Sequence, residues 1–377
     1  MKLSELLSLL DETPVIADIH PISCYYLPED IWITDSLADV VWEMDEPDQT
    51  LPRRILITKL DKAYKGRFPY VRVEHNPFSQ AFNEILSHRF DDIASHMLTQ
   101  SKIAHYIISD SENAEVIILY LVDGLSYLRV QETFTHWPFE SWAACTVYYA
   151  LHPCLVDSPT VTHIAFPNLI GYPPLAMRLF EKGFSTRLGF SYWSRSDNLL
   201  TNRIFHGIPC VKRITDFGEL IEYLRNYIQF EKRTFIQILR SGLDDYAHHQ
   251  KRRPPIEAVV ADIQREFIEL IALFCEIGRP AHLYLSSDHG ILWRWEFEPQ
   301  VIGNAPSRVN PRFGKWQDLA SNSGLSYHFV IDREEYLCLN YPQLRRPLRI
   351  DEQGVHGGIS FQESIVPFIS VSICPSG

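Results

Sequence analysis

Residues 116–122 read VIILYLV and end on Asp123-Gly124. A strand with one wet face alternates apolar and polar residues. An unbroken, β-branched-rich run is what a strand needs when helices cover both its faces, as in a parallel sheet. This run therefore points to an α/β chain, and three further apolar segments, Thr234–Leu239, His282–Leu285 and Ser364–Ile373, supply companion strands. Helical patterns separate them. From Pro255 to Phe274, Val259, Val260, Ile263, Phe267, Leu270, Ile271 and Phe274 form an apolar stripe, with Pro254 and Pro255 suiting its first turn and Gly278 following its end. A second helix is expected from Phe217 to Ile228, with Asp216 as its N-cap. Strands alternating with helices of this length build a mainly parallel sheet covered on both sides, whose ligands collect at the carboxyl ends of the strands.

The remaining length accommodates a second, smaller region. Of the 377 residues, 1–110 carry no chemical motif and read as an N-terminal acidic region or small domain, with 111–377 as the main α/β domain. The net charge is −12, and residues 1–50 hold twelve Asp and Glu against the single basic Lys2, so the rest of the chain is near neutral. An overall acidic chain argues against a nucleic-acid ligand, but that argument weakens where the catalytic part is near neutral and holds basic clusters at Lys251-Arg252-Arg253, Arg308 with Arg312 and Lys315, and Arg345-Arg346 with Arg349. No run of eighteen apolar residues exists, and the acidic N-terminus does not resemble a secretory signal, so the expectation is a cytoplasmic protein with no membrane partner. The seven cysteines are scattered with no Cys-x-x-Cys pair, which favours reduced thiols over a disulfide framework or zinc knuckle.

Five polar patches carry the chemistry. Asp123 ends the first buried strand. Thr160 and Thr162 lie in Pro159-Thr160-Val161-Thr162, before an apolar helical stretch, where helix amides favour a phosphate. In Leu243-Asp244-Asp245-Tyr246-Ala247-His248-His249, Asp244 with His248 and Asp245 with His249 both have the one-turn spacing that lets two ligands share a cation. Asp288-His289-Gly290 follows the strand at 282–285, and His356-Gly357-Gly358 precedes the last one. Each patch alone has an ordinary structural explanation, such as a turn, a cap or a solvated loop.

Their order resembles the alkaline phosphatase superfamily, in particular its nucleotide pyrophosphatase/phosphodiesterase branch and most closely the PglZ domain. The matching stretches are VDGLSYL, SPTVTHIA, LDDYAHH, SSDHG and VHGGISFQESIVPFI, the last similar to a PglZ pattern through His356, Gly357, Gly358, Ser360, Glu363 and Pro367. The resemblance covers about residues 110–377. It implies an alkaline phosphatase-like three-layer α/β/α core with a mainly parallel sheet. It also implies one metal held by Asp244, His248 and His356, and another by Asp123, Asp288, His289 and the Thr162 oxygen, with Thr162 as nucleophile because it is the threonine just before the helix. Aspartate and histidine ligands suit zinc first and manganese second. The expected activity is two-metal phosphohydrolysis, with diesters favoured and nucleotides or nucleic acid as candidate substrates. Lys251, Arg252, Arg253, Arg308 and Arg312 are candidate substrate contacts. A place in bacterial phage defence, with partner proteins of such a system, is implied by the resemblance alone. The alternatives are a phosphomonoesterase and a metal-binding regulatory or scaffold protein without turnover.

Overall fold

A computed structural model describes residues 1–38, 40, 54–58, 66, 68–134, 145–192, 198–227, 233–248, 250–315, 325–331 and 333–375. The chain divides into two units, Met1–Ile85 and Leu86–Gly377. In the smaller unit, Val15–Asp18 (β1), Ile31–Thr34 (β2), Arg54–Ile57 (β3) and Tyr70–Arg72 (β4) form a parallel sheet in the order β2-β3-β1-β4. The helix Leu3–Leu10 places Leu6 and Leu10 against Val15, Ala17 and Leu56 of that sheet.

The larger unit is built on eight strands: Leu98–Thr99 (β5), Val116–Asp123 (β6), Cys145–Leu155 (β7), Ser185–Tyr192 (β8), Cys210–Arg213 (β9), Thr234–Ser241 (β10), Ala281–Ser287 (β11) and Ile365–Pro375 (β12). They lie in the order β5-β7-β12-β11-β6-β10-β8-β9. Every neighbouring pair is parallel except those of β12, which runs antiparallel to both β11 and β7. The expected α/β class with a mainly parallel sheet is thus the observed one, and the four strands anticipated from apolar runs are β6, β10, β11 and β12. The strands β7, β8 and β9 escape the sequence criterion because each carries exposed or half-exposed residues that interrupt the apolar run.

Five helices matter to the site: Gln100–Asp110 (α1), Thr162–Ile170 (α2), Phe217–Tyr227 (α3), Asp244–His248 (α4) and Ile256–Ile277 (α5). The central strand β6 shows why three layers form. Val116, Ile118, Tyr120 and Val122 pack with α5 and α3 residues such as Val260, Ile263, Phe267 and Leu220, whereas Ile117, Leu119 and Leu121 pack with α1 and α2 residues such as Ile103, Ile107 and Leu169. All eight residues of β6 are buried, so an apolar side chain is required at both parities. The apolar stripe of α5 ends where Gly278 adopts the left-handed conformation (φ 70°) and its N–H caps Phe274. Asp216 accepts from the Gly218 N–H at 2.6 Å, at the start of α3.

Residues 86–110, grouped with the N-terminal region in the sequence reading, pack with the larger unit: β5 pairs with β7, and α1 lies against α2. One cysteine expectation is corrected. Cys145 of β7 and Cys275 of α5 form a disulfide with their Cα atoms 5.6 Å apart, a pairing across 130 residues that only the packing of α5 on the sheet brings about. Among the described residues, no helix is long and apolar enough to cross a membrane.

Candidate active site

Three adjacent strands, β11, β6 and β10, deliver Asp288 with His289, Asp123, and Asp244 with His248 from their carboxyl ends, while Thr162 comes from the start of α2 and His356 from the loop before β12. Asp123 closes β6, and Gly124 turns the chain with φ 76°, a conformation that side chains with a Cβ seldom adopt. The Gly124 N–H donates to Asp288 Oδ1 at 3.1 Å, tying the turn to the end of β11. Ser287 Oγ accepts the Leu125 N–H and donates to the His289 carbonyl, both at 2.8 Å. After β10 the backbone passes so close to β6 that a Cβ at Gly242 would stand 2.1 Å from the Asp123 carbonyl oxygen. This close passage leads directly into α4, which begins at Asp244 and presents His248 one turn later.

These ends converge. Asp244 Oδ1 is 3.2 Å from Nε2 of both His248 and His356, and the two Nε2 atoms are 2.9 Å apart. Donor atoms around one tetrahedral zinc, at bond lengths of about 2.0–2.1 Å, stand roughly 3.3 Å apart, so this spacing suits a single cation. Beside it, His289 Nε2 lies 3.3 Å from Asp288 Oδ2, 3.9 Å from Asp123 Oδ1 and 3.2 Å from Thr162 Oγ1. The rings of His289 and His356 stack with centroids 4.0 Å apart. Ligand atoms of Asp123, Asp244 and His289 also group within 4.8 Å of one another, so Asp244 belongs to both clusters. Asp123, Asp244, Asp288, His289, His356 and Thr162 are buried, and His248 is half-buried.

The donor chemistry fits cations. His289 Nδ1 meets the Gly290 carbonyl at 2.9 Å, and His356 Nδ1 meets the Thr160 carbonyl at 2.7 Å. A carbonyl oxygen only accepts, so each Nδ1 carries a proton, and the Nε2 of each ring faces the carboxylates. Buried imidazole nitrogens facing buried carboxylates are the donor set that a divalent cation draws together.

The two threonines differ in use. Thr160 Oγ1 accepts the Gly357 N–H at 2.9 Å and donates to the Gly358 carbonyl at 3.0 Å. Thr162 is the first residue of α2, with its hydroxyl at His289.

The basic residues separate as well. Arg312 is fully buried. Its guanidinium donates to Glu363 Oε1 at 2.8 Å and to the carbonyls of Gln343, Leu339 and Ile359, so the expectation that it touches substrate is corrected: it braces the chain internally. Arg308, Lys251, Arg252 and Arg253 are exposed, and the Arg253 guanidinium lies 4.6 Å from the centroid of the Trp295 ring. His249 lies outside the described residues, so the alternative pair Asp245 and His249 is not described.

Sequence reading missed Gln100. It is buried at the start of α1, and its Nε2 donates to the carbonyls of Ser287 and Asp288 at 2.9 Å each, holding the segment that carries Asp288 and His289. A lone glutamine far upstream of every motif offers no sequence signal for this role.

The sequence matches no known family profile and no curated protein. Solved structures with a similar fold include mouse ectonucleotide pyrophosphatase/phosphodiesterase 5, an inactive form in complex with AMP (TM-score 0.43, 10% identity, 68% of this chain and 87% of that one). Others are phosphonoacetate hydrolase from Sinorhizobium meliloti with phosphonoacetate (0.43, 12%, 68% and 90%) and the C-terminal periplasmic domain of the phosphoethanolamine transferase EptC from Campylobacter jejuni (0.39, 11%, 69% and 80%).

Proposed function

We propose that this chain is a metal-dependent phosphoester hydrolase with Thr162 as its nucleophile. Asp244, His248 and His356 hold one divalent cation, and Asp123, Asp288, His289 and the Thr162 oxygen hold a second. The observation that carries the reading is the position of Thr162 Oγ1, at the first residue of a helix and 3.2 Å from a histidine nitrogen shared with two carboxylates. Zinc is the first choice of metal and manganese the second.

When bound, the cations stabilise phosphoryl charge and favour ionisation of the hydroxyl, which is otherwise hardly ionised at neutral pH. The residues of the chain do the rest. Thr162 Oγ forms a bond to phosphorus in line with the departing ester oxygen, giving a phosphothreonine and an alcohol. Water then cleaves the Oγ–P bond, restoring the hydroxyl and releasing phosphate from a monoester, or a monoester from a diester. The amides and dipole at the start of α2 favour the phosphoryl oxygens throughout.

The PglZ-like reading is supported by the role that the geometry gives each residue of the His-Gly-Gly-x-Ser-x-x-Glu stretch. Glu363 Oε1 accepts the Gly358 N–H at 3.0 Å, and Oε2 accepts the Ser360 hydroxyl at 2.5 Å, so the two residues brace the loop that carries His356. A diester substrate, nucleotide or nucleic acid, is favoured by the exposed Lys251, Arg252 and Arg253, and a place in phage defence extends the PglZ resemblance. The test is elemental analysis of metal-loaded protein together with turnover of p-nitrophenyl phosphate and bis-p-nitrophenyl phosphate. Two metals and faster diester cleavage are expected. Metal without turnover of either ester would leave a binding protein, and no metal would end the reading.

A further inference from the structure

We infer that Thr160 is the positioning residue for His356. The inference rests on the proposed metal reading and assigns a task that the sequence pattern leaves open between the two threonines. Three bonds run from this one residue to three consecutive residues of the glycine loop. Its carbonyl receives His356 Nδ1–H at 2.7 Å, its hydroxyl receives the Gly357 N–H at 2.9 Å, and the same hydroxyl donates to the Gly358 carbonyl at 3.0 Å. Thr160 is fully buried, so no solvent replaces these bonds when they are lost.

Each bond has a separate consequence. The carbonyl accepts from Nδ1 and so orients the ring with Nε2 toward His248 and Asp244. The hydroxyl holds the two glycines, at one of which (Gly357) φ is 110°, and glycine-rich backbone keeps little shape without such anchors. From the other side, Glu363 holds the Gly358 N–H and is itself paired with buried Arg312. The loop is thus clasped between Thr160 and Glu363, and His356 leaves it aimed at Asp244. Because Thr160 stands two residues before Thr162, one short segment both presents the nucleophile and fixes a ligand of the neighbouring cation.

The experiment uses full-length protein stripped of metal and titrated with Co²⁺, whose visible absorption reports its coordination. The binding step lost in His356→Ala identifies the affected site. In Thr160→Val, which keeps the shape and removes the hydroxyl, that step weakens by about 10–100-fold, the usual cost of losing a ligand's outer support, while the other step is retained. Thr160→Ser restores binding close to wild type. Wild-type affinity in a folded Thr160→Val protein, or equal weakening of both steps, overturns the inference. If Thr160→Val does not fold, the imidazole ¹H–¹⁵N spectrum of wild-type apoprotein decides: a proton on His356 Nδ1 supports the clasp, and an Nδ1 without a proton overturns it. Wild-type protein that binds no Co²⁺ would sink the metal reading itself, and the same spectrum would still decide the clasp.

Discussion

Asp244 and His356 meet with Oδ1 and Nε2 3.2 Å apart, one from the start of α4 and the other from the glycine loop before β12. The same carboxylate lies 3.2 Å from His248 and groups with Asp123 and His289. A single side chain thus stands between two sets of candidate ligands, although the family resemblance assigns it to one set only.

That position predicts unequal effects of ligand loss. Asp244→Asn should lower the content of both metals, whereas His356→Ala should remove one and leave the other. Mass-spectrometric metal counts after exhaustive dialysis distinguish the two, and a single lost metal in Asp244→Asn would confine this residue to one site.

Thr162→Ala should lower turnover by at least about 10³-fold while metal content survives, because the aspartates and histidines supply most of the ligation. Acid quenching during turnover of a phosphorus-labelled ester should trap label on the wild-type chain and none on the variant. An active Thr162→Ala enzyme would reassign the nucleophile.

Replacing Lys251, Arg252 and Arg253 together by Ala should slow oligonucleotide cleavage while sparing a small chromogenic diester. If these charges track a nucleic-acid backbone, the log–log salt slope of binding should shrink by about 0.7–0.9 for each lost phosphate contact. Equal loss on both substrates would instead indicate damage to the neighbouring Asp244–His248 turn.

Breaking the buried Arg312–Glu363 pair should cost stability, not substrate affinity. Arg312→Ala is expected to lower the unfolding free energy by about 3–5 kcal/mol, as for other buried pairs stripped of one partner. Urea denaturation measures it. A variant of unchanged stability but raised KM would return Arg312 to the substrate.

A pH prediction concerns Glu266 of α5. Burial works against its charged form, but hydrogen bonds from Arg240 at 2.7 Å and from Tyr120 and Tyr192 at 2.5 Å each, with the charge of Arg240, outweigh burial and hold its pKa below the ordinary 4.5. A carboxylate depressed in the folded state contributes its full stability above the unfolded pKa and loses it as pH falls through the folded value. Glu266→Gln should therefore lower stability at neutral pH and flatten the stability–pH curve below pH 4.5, as read by urea unfolding across that range. An unchanged slope would mean that other carboxylates govern acid unfolding.

What the sequence by itself determined follows from local rules. The run at 116–122 is apolar at both parities and rich in β-branched residues, as a strand covered on both faces requires. The stripe of α5 and its Gly278 cap are written in helical spacing, and Asp244 with His248 in a single turn. Such features depend on residues a few positions apart. Tertiary structure decided whatever depends on where distant segments meet. The disulfide between Cys145 and Cys275 has no local spacing to betray it. Nor does Gln100, which holds Ser287 and Asp288 from a helix far upstream. Arg312 reads as one of several basic residues until the fold buries it against Glu363. Charge and residue type do not state burial. The division of labour between Thr160 and Thr162 is also tertiary: both are hydroxyls in the same four-residue stretch, and only the arrival of the 356–358 loop on one side and His289 on the other gives them different partners.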